Sequence, residues 1–365
     1  MFQVIQGNSA ALPLPDNSVD VIVTSPPYYA VTHYSTRKSV WGGKADCVHE
    51  WEECSLPKSQ SLRYGGSSSR WMLRGTKGKD YIPPTRLCKK CNAWEGELGL
   101  EREFWCGSLC GSCYICHLMV TIREMHRVLS PYGTLWLNVG NSSSEEGYAP
   151  TSGVLSYLMQ KEGWVVRSEI IWEKAVIGAE MKGWWFDEKG KLNKWRWKPI
   201  VNHEFIILAA KSDDYFIDHI NDTDGKISLT TVWKITDLTN RKYRYKSAFP
   251  VRLPLRCISL GTAEHYCKQC NMPYVRAGIL DHDIGWRKVC NCKTDDTRRG
   301  IVLDPFCGSG TTGEAALLLG RDFIGIDMNP EAVQLAEERL REVSAAQSLV
   351  SQQSLRPALH PSPLF

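Results

Sequence analysis

Short apolar runs followed by polar loops recur along the chain and predict buried strands. Residues 19–23 and 301–303 are mostly apolar and each leads into a proline-containing loop, while residues 323–326 lead into Asp327. Residues 311–319 contain no proline and favour a helix directly after the second loop. We therefore predict an α/β fold whose loops lie at the carboxyl ends of the strands, where open sheets of this class bind ligands.

The loop after residues 301–303 has the composition of a nucleotide-binding turn. Gly308 and Gly310 allow a tight turn and a close approach of the backbone, and the predicted helix directs its amino end at that turn. Asp327, at the tip of the next strand, can accept hydrogen bonds from both hydroxyl groups of a ribose. The pattern predicts a cofactor site.

The loop after residues 19–23 reads Thr24-Ser25-Pro26-Pro27-Tyr28. Consecutive prolines fix φ and make the loop rigid, with backbone carbonyls that no sheet ladder consumes. The Ser25 hydroxyl and the Pro26 carbonyl can therefore accept hydrogen bonds from an amine. Tyr28 offers a stacking face for a flat ring.

Both loops, in this order, resemble those of the β group of amino-group DNA methyltransferases, in which the cofactor loop follows the catalytic loop. Residues 126–138, 169–174 and 203–211 are similar to further segments of that family. The resemblance implies a doubly wound, mostly parallel, Rossmann-like sheet of seven strands in a circularly permuted order. In this order the strands at 301–303 and 323–327 lie next to the strand at 3–6, and a strand at about 204–210 runs antiparallel. It also implies S-adenosylmethionine as cofactor.

The resemblance places catalysis on Ser25, Pro26, Pro27 and Tyr28. It assigns the cofactor to Asn8, Thr24, Asp304, Pro305, Phe306, Gly308, Ser309, Gly310, Thr311, Thr312, Asp327, Met328 and Asn329. Asn8 departs from the Asp that is usual in the family at this position, although an amide can still hydrogen-bond an adenine edge.

A Ser at the head of the catalytic loop commonly accompanies methylation of cytosine N4 in this family, whereas Asp or Asn accompanies adenine N6. Ser25 therefore favours cytosine in duplex DNA, with adenine N6 as the alternative. Two other functions stay open from the sequence: an inactive, zinc-stabilised DNA-binding protein, and a methyltransferase of RNA or of protein glutamine. Intact loops argue against the former, and the loop order argues against the latter.

The 14 cysteines favour metal ligation over disulfides in a reducing compartment. Two sets have spacings suited to tetrahedral zinc, and a third is dense enough for zinc or an iron–sulfur cluster. The first set is Cys47, His49, Cys88 and Cys91, with Cys54 as an alternative ligand; the second is Cys267, Cys270, Cys290 and Cys292; the third is Cys106, Cys110, Cys113 and Cys116. We expect roughly two to three structural zinc ions.

A net charge of +4 is too small to indicate a nucleic-acid partner, but the basic residues are unevenly distributed. Arg241, Lys242, Arg244 and Lys246 alternate with tyrosines, which fits phosphate neutralisation and stacking. A solvated basic loop explains this run equally well. Tryptophans between residues 184 and 197 form a second candidate DNA-facing segment or a local aromatic cluster.

With 365 residues, the chain accommodates a catalytic domain of about 250 residues together with inserted modules. No apolar run is long enough for a membrane span, and no signal sequence is recognisable, so we expect a cytoplasmic protein of a bacterium, archaeon or phage. Its candidate partners are duplex DNA, a cognate restriction endonuclease and a second copy of the chain. The predicted parts are 1–32 (catalytic loop), 33–117 (cysteine-rich insert), 118–256 (middle of the catalytic domain with target-recognition loops), 257–297 (zinc knuckle), 298–343 (cofactor part) and 344–365 (disordered tail).

Overall fold

The structure is a computed structural model of the chain. It describes residues 1–31, 34, 38–44, 46–54, 85–108, 111–144, 147–174, 185–186, 192–193, 201–218, 230–235, 242–243, 248–279 and 282–354. All statements below concern these residues.

The described strands, in chain order, are β1 (Phe2–Gln6), β2 (Val19–Thr24), β3 (Ser39–Trp41), β4 (Trp51–Cys54), β5 (Thr85–Cys88), β6 (Trp94–Gly96), β7 (Leu129–Val139), β8 (Ser142–Ser144), β9 (Gly147–Ala149), β10 (Val165–Glu173), β11 (Trp185–Phe186), β12 (Leu192–Asn193), β13 (His203–Ala210), β14 (Val232–Lys234), β15 (Tyr266–Cys267), β16 (Val275–Ile279), β17 (His282–Arg287), β18 (Thr297–Arg298), β19 (Ile301–Asp304) and β20 (Asp322–Asp327). The described helices are α1 (Tyr114–Val128), α2 (Thr151–Lys161), α3 (Arg252–Gly261), α4 (Thr311–Leu318) and α5 (Pro330–Ser354).

The central sheet has the order β1-β20-β19-β2-β7-β13-β10-β14. Neighbours from β1 to β7 pair in parallel, and β13 runs antiparallel to both β7 and β10. The predicted neighbourhood of β1, β20 and β19 is therefore confirmed, as is the antiparallel strand at 203–210. Every residue of β2 is buried, as expected for a central strand covered on both faces.

Helices cover both faces of this sheet. Alternate residues of β2 point to opposite sides, so Ile22 joins the apolar cluster that includes α1 and α2, whereas Val21 and Val23 join the cluster formed with α3, α4 and α5. The fold is thus doubly wound, as predicted.

Two expectations need correction. The sheet has eight described strands instead of seven, because β14 adds to its edge through parallel pairing with β10. The predicted disordered tail from residue 344 is also wrong at its start, since α5 continues to Ser354. Residues 344–354 contain neither proline nor glycine, so nothing in their composition ends the helix. Residues 355–365 lie outside the described residues.

The cysteine-rich insert contains a separate antiparallel sheet of order β3-β6-β5-β4. Its β3 and β6 face the catalytic domain: Trp41 of β3 and Trp94 of β6 are paired in register and are buried in the same apolar cluster as Tyr29 and Tyr114. The insert is therefore packed against the loop that follows β2.

Candidate active site

The two predicted loops lie side by side because β2 and β19 are parallel neighbours, with Leu303 opposite Ile22. A buried hydrogen bond joins them directly: the Thr24 hydroxyl donates to the Asp304 carboxylate at 2.6 Å. The other carboxylate oxygen of Asp304 accepts from the Thr312 hydroxyl, also at 2.6 Å. Burial raises the pKa of Asp304 to about 6, against the lowering effect of these hydroxyl donors.

One pocket contains both loops. Of the predicted catalytic and cofactor residues, it is lined by Asn8, Ser25, Pro27, Tyr28, Asp304, Phe306, Gly308, Ser309, Thr311, Asp327 and Met328. Thr24, Pro26, Pro305, Gly310, Thr312 and Asn329 do not line it. The hydroxyls of Thr24 and Thr312 both donate to the Asp304 carboxylate, so these two residues hold the two loops in place.

The glycine loop has the conformation that its sequence requires. Gly310 has φ of +76° and precedes the first residue of α4, a geometry that a side chain would strain. The Asp327 carboxylate accepts from the backbone N–H groups of Gly308 and Asn329, each at 2.9 Å. Burial raises the pKa of Asp327 despite these donors. Each carboxylate oxygen has a second lone pair with which to bind a ligand in the pocket.

Asn8 lines the pocket beside Asp327, because the backbone N–H of the preceding Gly7 donates to the Asp327 carbonyl at 2.9 Å. Its side-chain oxygen accepts from the Ala10 backbone N–H at 2.9 Å, and its amide nitrogen lies 3.3 Å from the Ser39 hydroxyl. Ser39 belongs to the insert, so the insert contacts the predicted cofactor residues.

The catalytic loop carries a polar network that the sequence did not reveal. The Tyr28 hydroxyl donates to the Glu204 carboxylate at 2.8 Å and accepts from Ser25 at 3.2 Å and from the Asn138 amide at 3.0 Å. Asn138 also donates to Glu204 at 2.8 Å, and Lys174 forms an ion pair with the same carboxylate. Burial, reinforced by the Glu204 charge, raises the pKa of Tyr28 far above its usual value, so its hydroxyl stays protonated.

These three additional residues converge because of strand order. Asn138 is near the end of β7, the parallel neighbour of β2, while Glu204 is near the start of the antiparallel β13 and Lys174 directly follows β10. All three positions therefore lie at the edge of the sheet that bears Tyr28. Insert residues at the pocket were also missed: Ser39, Trp41, Gly96, Glu97 and Leu98.

The structure brings together two complete sets of predicted metal ligands. The donor atoms of Cys47, His49, Cys88 and Cys91 all lie within 4.8 Å of one another, and the same holds for Cys267, Cys270, Cys290 and Cys292. Backbone N–H donors from Cys270 and Gln269 lower the pKa of Cys267 to about 6 against the effect of burial. A thiolate is the form that binds a metal.

The third set is described in part. The sulfur atoms of Cys106, Cys113 and Cys116 lie within 4.8 Å of one another, whereas Cys110 lies outside the described residues. Cys54, the alternative ligand, is not a member of the described clusters.

The basic run is described at Lys242 only, since Arg241, Arg244 and Lys246 lie outside the described residues. The Lys242 ammonium binds both carboxylate oxygens of Glu342 at 2.6 Å. Most of the tryptophan-rich stretch at 184–197 is likewise outside the described residues. Among the helices that are described, none combines the length and apolar character needed to cross a membrane.

Several known methyltransferases are similar to this chain. The Type II methyltransferase M.SmaI of Serratia marcescens is 27% identical over 263 residues, which cover 62% of this chain and 74% of that protein. The Type II methyltransferase M.HinfI of Haemophilus influenzae is 54% identical over 330 residues, covering 90% of this chain and 65% of that protein. The cytosine-N4-specific PvuII DNA methyltransferase shares the fold, with a TM-score of 0.51 and 13% identity over 94% of this chain and 91% of that chain.

A family model described as DNA methylase, for N6 and N4 methyltransferases, matches residues 19–338. This range includes the catalytic loop, the polar network behind it, the glycine loop and Asp327. The chain therefore belongs to the N6/N4 family of DNA methylases.

Proposed function

We propose that this protein transfers a methyl group from S-adenosylmethionine to the N4 amine of a cytosine swung out of duplex DNA. The observation that carries the proposal is the single pocket shared by Ser25 and Tyr28 with Gly308 and Asp327. A methyl donor and a nucleobase must meet within one cavity for transfer, and here the loops suited to each are joined through Thr24 and Asp304.

The residues of the glycine loop fit the cofactor. The Asp327 carboxylate lines the pocket and can accept from ribose hydroxyls, while Asn8 and Phe306 provide an amide and an aromatic surface for an adenine. S-adenosylmethionine supplies an electrophilic methyl group when bound. The chain's task is to orient the amine toward it and to exclude competing water.

The catalytic loop orients the target amine. Ser25 donates its proton toward the Tyr28 oxygen, so its own lone pairs can accept an N–H of the amine. This acceptor favours the geometry in which the amine lone pair leaves conjugation with the ring. The Tyr28 ring stacks on the base, and its hydroxyl is anchored by Glu204. The step is direct displacement, without a covalent intermediate on the enzyme.

Cytosine N4 is favoured over adenine N6 by the serine at the head of the loop. A hydroxyl at this position both donates to Tyr28 and accepts from an amine, whereas the carboxylate common in adenine enzymes would be an acceptor only. Adenine N6 is the alternative substrate for the same pocket and chemistry.

Further parts of the proposal concern metals and partners. Structural zinc at the two complete clusters is supported by their thiolate and imidazole donors, and the third cluster takes zinc or an iron–sulfur centre. The basic run at 241–246 contacts DNA phosphates. The protein acts as a monomer or homodimer in the cytoplasm, with a cognate restriction endonuclease as a candidate partner.

Transfer of a labelled methyl group tests the proposal. Purified protein, S-adenosylmethionine carrying a tritiated methyl group and a mixed-sequence duplex DNA should yield label that is retained in the DNA. A structured RNA of equal length is the matched control and should remain unlabelled. Label in RNA alone would transfer the function to another substrate class, and the absence of label from both would overturn it.

A further inference from the structure

The cysteine-rich insert forms one wall of the catalytic pocket. Ser39 and Trp41 of β3, together with Gly96 at the end of β6, line the pocket, as do Glu97 and Leu98 immediately after β6. β3 and β6 are hydrogen-bonded neighbours, so this wall is built on one small sheet.

The same wall holds the catalytic loop by its backbone. The Ala30 N–H donates to the Gly99 carbonyl at 2.8 Å, and Ala30 has φ of +54°, which is uncommon for a residue with a side chain. Gly99 also packs against the loop: a Cβ at this position would lie 2.9 Å from the Tyr28 carbonyl oxygen. The unusual backbone of the loop just after Tyr28 therefore depends on contact with the insert.

One cluster of metal-ligand residues lies at the connections between the strands of the insert sheet. Cys88 is the last residue of β5 and Cys91 lies in the turn between β5 and β6, while Cys47 and His49 lie between β3 and β4. A metal held by all four would join the two connections of the insert sheet. The Lys90 backbone N–H points at the Cys88 sulfur at 3.4 Å, an arrangement that stabilises a thiolate.

The distances within this cluster suit zinc. Tetrahedral zinc places two sulfur ligands about 3.8 Å apart, and a sulfur and a nitrogen about 3.5 Å apart. The Cys47 and Cys88 sulfur atoms are 4.0 Å apart, and the Cys91 sulfur lies 3.4 Å from His49 Nδ1.

We propose that zinc at Cys47, His49, Cys88 and Cys91 is a structural requirement of catalysis, because it fixes the insert wall that positions the loop carrying Tyr28. This inference rests on the proposed function for its effect on activity, though not for its effect on structure. The insert sheet has four short strands, and residues 55–84 separate β4 from β5. A sheet this small, closed by a long connection, gains much of its stability from a cross-link.

The test compares Cys91→Ser with two controls in the full-length protein. Cys270→Ser removes a ligand from the other complete cluster. The strands β15 and β18 that flank this cluster come before the start of β19, whereas the pocket lies at the end of β19. Lys89→Ala changes the same turn as Cys91 but keeps all four ligands, and its ion pair with Glu52 is exposed. Zinc content, hydrogen exchange of the Ala30 amide and methyl transfer are measured for each variant.

We expect Cys91→Ser to lose one zinc ion, to speed exchange of the Ala30 amide by about tenfold or more, and to lower turnover by a similar factor. Cys270→Ser should lose one zinc ion without changing Ala30 exchange, and Lys89→Ala should match the parent protein. Unchanged exchange at Val21 and Val23 of β2 establishes that the catalytic domain of each variant is folded.

Two outcomes overturn the inference: Cys91→Ser that loses zinc yet keeps parental Ala30 exchange, or parent protein without zinc at this cluster. If Cys91→Ser does not fold, stripping zinc from the parent protein with a chelator and restoring it gives the same comparison. The two proposals can fail separately. If the parent protein does not methylate DNA, the proposed function is rejected. If its Ala30 amide still exchanges faster when zinc is removed, the structural coupling between the metal and the loop stands.

Discussion

The hydroxyl of Tyr28 donates to the carboxylate of Glu204 at 2.8 Å, although 176 positions separate the two residues in the chain. The carboxylate also accepts from Asn138 and Lys174. It thus fixes the orientation of the Tyr28 ring. Glu204 itself does not line the pocket, so under the proposed function it acts on the base through Tyr28.

Replacing Glu204 should therefore impair turnover without impairing cofactor binding. Glu204→Gln removes the charge that pairs with Lys174 and replaces one acceptor by a donor. Hydrogen bonds to charged groups are worth about 1.5–3 kcal/mol, which corresponds to a fall in kcat of roughly 10- to 100-fold. Steady-state methyl transfer gives kcat, and calorimetry gives the affinity for S-adenosylmethionine.

A double substitution separates positioning from general destabilisation. Tyr28→Phe removes the hydroxyl but keeps the ring, so adding Glu204→Gln to it should cause little further loss of kcat. Additive losses would show that Glu204 acts independently of Tyr28.

Tyr28→Ala, which removes a stacking face worth about 1–3 kcal/mol per base, should abolish most turnover while cofactor binding survives.

Asp327 provides the test of the cofactor site. Its carboxylate is in the pocket and accepts from Gly308 and Asn329. Asp327→Ala should weaken S-adenosylmethionine binding by about 1.5–3 kcal/mol, the scale of lost charge-assisted hydrogen bonds. Calorimetry measures this directly, and Asp322→Ala, at the other end of β20, is the control that should leave affinity unchanged. Equal affinities for both variants would reject the cofactor assignment.

The buried Asp304 predicts a specific dependence of stability on pH. Its folded pKa of about 6 lies above the ordinary carboxyl pKa of 3.8, so between these values the folded state binds the proton that the unfolded state has lost. The contribution of Asp304 to the free energy of unfolding therefore falls as pH rises from about 4 to 6. It is constant above pH 6, and the total change is about 3 kcal/mol.

Asp304→Asn should remove this contribution. Unfolding by denaturant at pH 4 and at pH 7 gives the change for each protein, and the parent should lose more stability than the variant over this interval. Other titrating groups, including the cysteines and histidine of the clusters, are common to both proteins and cancel in the difference. Identical pH dependence in the two proteins would show that Asp304 ionises normally.

The cysteine clusters predict the metal content of the purified protein. Protein purified without chelators should contain roughly two to three zinc ions, since two complete ligand sets and part of a third are assembled. Cys267→Ser should lower the melting temperature, because a structural metal contributes to folding free energy. Iron with visible absorbance would assign an iron–sulfur centre to the predicted set of Cys106, Cys110, Cys113 and Cys116. A stable protein without metal would contradict all three assignments.

The sequence was most informative where function depends on local geometry. The loops at 24–28 and 304–312 carry their conformational requirements in prolines and glycines. The strands β1, β20 and β19 lie together, as the family resemblance implied. The cysteine and histidine positions likewise sufficed to predict which side chains of the two complete clusters meet.

Local sequence patterns do not predict the contacts that depend on strand order or on the packing of the insert. Glu204 reaches Tyr28 only because β13 is antiparallel and begins at the edge where β2 ends. Similarly, nothing in the spacing of Cys88 and Cys91 indicates that the strand after them lines the pocket. The Ser- and Gln-rich composition after residue 344 predicts disorder, whereas α5 continues to Ser354 because residues 344–354 contain no helix breaker.

The chemical identity of the methylated base tests the central claim most directly. Duplex DNA containing all dinucleotide contexts is incubated with the protein and S-adenosylmethionine, digested to nucleosides and analysed by mass spectrometry. We predict N4-methylcytosine, absent from a parallel reaction with Tyr28→Ala. N6-methyladenine would contradict the base preference drawn from Ser25, and unmodified DNA would contradict the assignment of this pocket as a methyltransferase site.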